Sequence, residues 1–148
     1  MDEDILVCSY SESSQRHAML ADDGRTGWLY LHAPSADPNR TGPVDAVGFA
    51  YNRGDPIELK DVQRYRPGSP PIAKEFASEN AMCGEPNAHT WRLAWSRDGQ
   101  TVVLMRDEEA WCIITPDNPR GYSRAIRAAG PWGSPWSDDV YRRNEWSG

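Results

Sequence analysis

Residues 91–115 read WRLAWSRDGQTVVLMRDEEAWCIIT, three short apolar runs parted by two acidic breaks. No other stretch restricts the fold as much. Runs this short suit strands, and Asp98-Gly99 is the turn chemistry of a two-residue hairpin loop, whose central residues need positive φ. A loop centred on that pair sets Trp95 opposite Val102, Leu93 opposite Leu104 and Trp91 opposite Arg106. A second turn over 107–110 returns the chain through 111–115. The result is a three-stranded antiparallel meander with Val102, Val103, Leu104, Ile113 and Ile114 at its centre. In this register Arg106 lies between Trp91 and Trp111, a cation–π arrangement of order 0.5–1 kcal/mol at an exposed site. The segment looks like the edge of a propeller blade, but it has no second copy and a propeller needs about four blades.

A further hairpin is legible over 16–33, RHAMLADDGRTGWLYLHA. Gly24 and Gly27 permit positive φ there. Pairing centred between Gly24 and Arg25 puts Ala18, Leu20, Leu29 and Leu31 on one face, which is plain core. His17, Met19, Trp28, Tyr30 and His32 share the other, amphipathic face. Residues 34–43 form a loop, 44–51 (VDAVGFAY) a third strand and 57–62 a short strand. Pro71 opens a short helix that ends near Gly84. In the tail, Ser137 caps a second short helix with Asp138 and Asp139 in its first turn. The expected fold is α+β and mostly β: antiparallel sheet built from hairpins and a meander, with one or two short helices. All 148 residues form a single domain, with the Trp-rich tail 131–148 packed on it.

Composition excludes several classes. A net charge of −6 lacks the basic face of a nucleic-acid binder and steers towards basic partners. Cys8, Cys83 and Cys112 are odd in number and far apart, with neither a CxxC pair nor zinc spacing. They read as free thiols of a reducing cytosol. The apolar run near the amino terminus is too short for a signal peptide, and nothing nears the roughly 20 residues of a membrane span. The expectation is a cytoplasmic protein with neither nucleic acid nor membrane as partner.

Taken in order, DDGRTGWLYLHA, VDAVGFAYN, LAWSRDGQTVVLM and RGYSRA resemble a family of small bacterial proteins catalogued as domain of unknown function 2251. The shared features are an acidic hairpin (Asp23, Gly24, Thr26, Gly27, Trp28) and a strand with Val44, Asp45 and Ala46. A second hairpin follows (Trp95, Ser96, Asp98, Gly99, Leu104), then Arg120, Gly121 and Tyr122. The resemblance spans roughly residues 16–124 and leaves out the Trp-rich tail. It implies a compact, β-rich bacterial domain and supplies no active site.

The chain has no Walker A, G-x-G-x-x-G, G-x-S-x-G or H-E-x-x-H motif. Its acids come as neighbours in turns: Asp22-Asp23, Asp107-Glu108-Glu109 and Asp138-Asp139. Such acids satisfy turn amides, whereas a glycosidase opposes two carboxyls about 5–9.5 Å apart. Cys112, between Trp111 and Ile113, reads as a buried small hydrophobe. His17 and His32 face each other across the first hairpin and have the chemistry of zinc or copper ligands. No third ligand is evident unless His89 reaches them. No catalytic residue, metal or cofactor is therefore expected.

The aromatics stand above background, with 7 Trp against 2 Phe. Some are core, and the remainder form a platform assigned to Trp28, Tyr30, Trp91, Arg106 and Trp111, because Trp, Tyr and Arg dominate interface hot spots. The expected function is a non-catalytic protein-binding module, immunity- or antitoxin-like in its concrete form, with another protein or a second copy of the chain as partner. One alternative is a small-molecule or carbohydrate binder that stacks its ligand on the aromatic face. A further alternative is an unrecognised hydrolase, which requires a deep pocket lined by His17, His32 and carboxylates.

Overall fold

A computed structural model describes residues 4–65 and 69–146. The extreme ends of the expected domain and residues 66–68 of its Pro/Gly-rich stretch lie outside the described residues. Strands β1 (Asp4–Ser11), β2 (Arg16–Asp22), β3 (Thr26–His32) and β4 (Val44–Asn52) form one antiparallel sheet in chain order. Strands β5 (Trp91–Trp95), β6 (Val102–Arg106), β7 (Glu109–Thr115) and β8 (Asn118–Ser123) form a second. The short β9 (Ser134–Pro135) joins it parallel to β8. Helix α1 (Asp138–Arg143) and the 3-10 segments Leu59–Tyr65 and Pro86–Ala88 complete a mostly β, α+β fold.

Side-chain alternation explains the stacking of the sheets. The β2–β3 register runs from Ala18↔Leu31 to Asp22↔Gly27, so Ala18, Leu20, Leu29 and Leu31 point the same way. They meet Trp95, Val102, Leu104, Cys112 and Ile114 from the second sheet. Burying each of the larger aliphatic side chains contributes about 1.5–3 kcal/mol. Strand β4 lies against β7 and β8, close enough that a β-carbon on Gly48 would sit 2.7 Å from the Cys112 sulfur.

Both outer faces are covered as well. Residues from the 72–81 and 125–132 segments pack on Phe49 and Trp28 of the first sheet. Val140, Tyr141, Trp136 and Trp146 pack on Val103, Met105 and Ile113 of the second. Ser137 caps α1, its hydroxyl accepting from the Val140 amide.

Four features of the sequence reading are corrected. Strand β1, where only a short apolar run was read, pairs with β2 from Asp4↔Asp22 to Ser11↔Arg16. Residues 57–62 are not a strand: Ile57 makes one isolated bridge to Ala73, and Leu59–Tyr65 is a 3-10 segment with no buried residue. Leu59, Val62 and Tyr65 recur every third position, the spacing of a 3-10 turn rather than of a strand.

The helix expected over 70–84 is absent, because that segment sends its backbone bonds elsewhere. The Cys83 amide donates to Asn52 O, the Asn52 amide to Ala81 O and the Ser78 amide to Ala125 O. Its alanines are spent on close packing against Phe49 and Trp132.

The two-residue primed turn also sits elsewhere. Only Gly99 has positive φ, +70°, in a wider loop closed by the Ser96 amide on Thr101 O and the Gly99 amide on Ser96 O. The pairing Trp95↔Val102 to Trp91↔Arg106 is retained. Asp107 and Glu108, at φ +51° and +65°, form the tight turn between β6 and β7.

A β-carbon on Gly99 would collide with the Ser11 and Ser14 hydroxyls. Gly99→Val should therefore cost about 2–4 kcal/mol in urea melts, from left-handed strain plus overpacking. Asp98→Asn should stay within about 1 kcal/mol, because its carbonyl can still accept from Ser96 and Gln100. Equal midpoints for Gly99→Val and the parent would refute this turn.

Candidate functional site

Trp91, Arg106 and Trp111 meet at one end of the second sheet. Arg106 pairs with Trp91 across β5–β6, and its guanidinium carbon lies 3.6 Å from the Trp111 ring centre. A bulge makes this possible. The β6–β7 register shifts between Leu104↔Cys112 and Met105↔Ala110, leaving Trp111 as the extra residue. Trp111 and Cys112 then both enter the inter-sheet core. Trp111 is only 1% exposed, and its indole donates to Ala50 O. Its place in the exposed platform is thus corrected: it is a buried base on which Arg106 rests.

Trp91 is half-buried. Its ring stacks on Tyr51 at 5.7 Å and 29°, and its indole donates to Pro86 O. Charge pairs absent from the expected platform lie at this end of the sheet: His89–Asp107 beside the Trp91 ring, and Arg92–Glu108 on the other face of β5, where Arg92 pairs with Met105. The Asp107 carboxylate accepts from the Thr90 amide and lies 2.6 Å from His89 Nδ1. The Thr90 amide first, and His89 next, hold the Asp107 carboxyl below its ordinary range. Arg92 grips Glu108 through two hydrogen bonds of 3.1 and 2.9 Å and lowers its pKa. These contacts hold two non-glycine residues in the left-handed region. Part of the signal was present in the sequence: once Trp91 faces Arg106, residues 89, 92, 107 and 108 fall at the same end of the sheet.

Trp28 and Tyr30 do not join this site. They alternate onto the outer face of the first sheet, where Trp28 meets Phe49 edge-on at 5.1 Å and donates to the Thr26 hydroxyl. The five platform residues therefore occupy two separate places in the sandwich. The tail indoles are also elsewhere: Trp132 on the first sheet's outer cluster, Trp136 and Trp146 on the second's.

The turn acids have structural partners. Asp22, 3% exposed, takes Arg53 at 3.0 and 3.1 Å and the Tyr51 hydroxyl. Burial first, then Asp22, pushes the Tyr51 phenol up. Asp23 accepts from the Arg25 and Thr26 amides. Burial raises both interior thiols, Cys112 to about 12, so neither is poised as a thiolate nucleophile. Among the described residues no three His, Cys, Asp or Glu gather as a metal site. His89 lies with Asp107, apart from His17 and His32. No described helix is long and apolar enough to cross a membrane. Comparison with protein-family models, curated proteins and solved structures finds no match for this chain.

Proposed function

We propose that this chain is a non-catalytic protein-binding module that meets its partner through the ridge formed by His89, Trp91, Arg92, Arg106, Asp107 and Glu108. One observation carries the reading: Arg106 is held on the face of Trp111 while Trp91 is held on Tyr51. An arginine and an indole with their rotamers fixed before binding lose little entropy on association. Tryptophan and arginine in such settings are the commonest hot spots. The His89–Asp107 pair beside Trp91 supplies part of a polar rim. The acidic net charge of −6 favours a basic partner, and an immunity- or antitoxin-like role is the concrete form of this function.

The test is a quantitative pull-down from the native host with the parent chain and a Trp91→Ala, Arg106→Gln double variant as baits. The expected result is a stoichiometric protein captured by the parent and lost from the variant, with both baits folded by circular dichroism. Capture unchanged by the double variant would remove the ridge as the interface.

A further inference from the structure

Among the described residues, two buried side-chain polar atoms lack a hydrogen-bond partner, and both are imidazole nitrogens: Nδ1 of His17 and Nε2 of His32. They belong to neighbours. Ala18 pairs with Leu31 at the end of the β2–β3 ladder, and His17 and His32 are the next residues outward on the two strands. Ala18 and Leu31 point into the core, so both histidines share the outer face of the first sheet. The 33–43 loop folds over them, tied down by the Ala33 amide on Pro43 O, the Ser35 amide on Gln15 O and the Tyr10 hydroxyl on Ser35 O. His32 is only 7% exposed.

The other nitrogen of each ring is fixed. His17 Nε2 lies 2.7 Å from Pro38 O, and His32 Nδ1 lies 2.8 Å from Gly42 O. A carbonyl only accepts, so these two nitrogens carry the hydrogens. In the neutral rings the opposite nitrogens therefore hold bare lone pairs. Two buried acceptors on neighbouring strand ends, neither met by a donor, suit an electrophile. Metal-ligating histidines show this same outer pattern: the second ring nitrogen donates to a backbone carbonyl, which sets tautomer and orientation.

We propose that His17 and His32 bind a single monovalent copper ion under the 33–43 loop. The donor set selects the ion. Zinc fills about four positions, and calcium and magnesium take oxygen ligands. Monovalent copper is satisfied by two collinear nitrogens, and imidazole is among its ligands. The absence of an evident third ligand in the sequence is no obstacle, because this ion does not require one. A soft thioether stands close by in sequence: Met19 lies two residues from His17 on the same strand face. A single positive charge also suits the surroundings, because the nearby Arg16 guanidinium is already paired with Asp45 at 2.8 Å.

The test is anaerobic titration of the full chain, purified without an affinity tag, against monovalent copper held by a chromogenic chelator. A Cys8→Ser background removes the exposed thiol on β1. The expected result is transfer of one copper ion per chain, weakened at least tenfold by His17→Ala and by His32→Ala, with nitrogen scatterers at the copper absorption edge. Thermal melts of both variants establish that the fold persists, and His32→Gln provides a second, milder removal of the ligand. An ordered water at these nitrogens predicts no copper transfer, and that result overturns the proposal. So does equal competition by the histidine variants, or stoichiometric zinc uptake without copper.

Discussion

Trp111→Ala should destabilise the fold by about 3–5 kcal/mol, the usual cost of emptying a buried indole site. That is a large share of the roughly 5–15 kcal/mol a domain holds. The indole is 1% exposed between Ala50, Leu104 and Ile114, and its removal strands the Ala50 carbonyl that accepts from it. It also removes the surface on which Arg106 rests. Trp91→Ala should cost distinctly less, because that ring is half-buried at the rim. Urea melts of the two variants decide the matter. A Trp111→Ala midpoint indistinguishable from that of Trp91→Ala would return Trp111 to the surface.

The two tryptophans show where the sequence was legible and where it was not. Register follows from turn chemistry, which is local: Asp23 holds the first hairpin's turn and Gly99 the second's. Hence Ala18↔Leu31 and Trp91↔Arg106 could be read without coordinates. The facing of a residue depends on strict alternation, and one bulge at Trp111 cancels it. Nothing in WCIIT announces that bulge.

Long-range closure is equally silent. The 70–84 segment has helical composition, but its backbone groups find β4 and the 124–127 turn instead. The candidate ridge was half legible. Trp91 and Arg106 follow from register, whereas the grip of Arg92 on Glu108 depends on a tight turn without glycine, which sequence rules place at Asp98-Gly99.

A chain ending at Gly130 should fail to fold cooperatively. The deleted segment carries Trp132, 3% exposed, which packs on Phe76 and donates to Pro70 O. Its loss alone is worth about 3–5 kcal/mol. The segment also supplies β9 at the edge of β8, and α1, whose Val140 and Tyr141 cover Val103, Met105 and Ile113. Further along, the Arg97 amide donates to Glu145 O and Ser96 bridges to Trp146, so the tail clasps the β5–β6 loop. Together these losses approach the whole stability of a domain this size. Point variants separate the contributions. Trp132→Ala should be severe, while Trp136→Ala should be mild, because Trp136 is half-exposed and held by Arg124 at 4.7 Å and by Asp138. The readout is the thermal midpoint together with near-ultraviolet dichroism, which reports whether the remaining indoles stay fixed. A truncated chain that melts like the full one, with that dichroism intact, would make the tail an appendage and leave the outer face of the second sheet open to a partner.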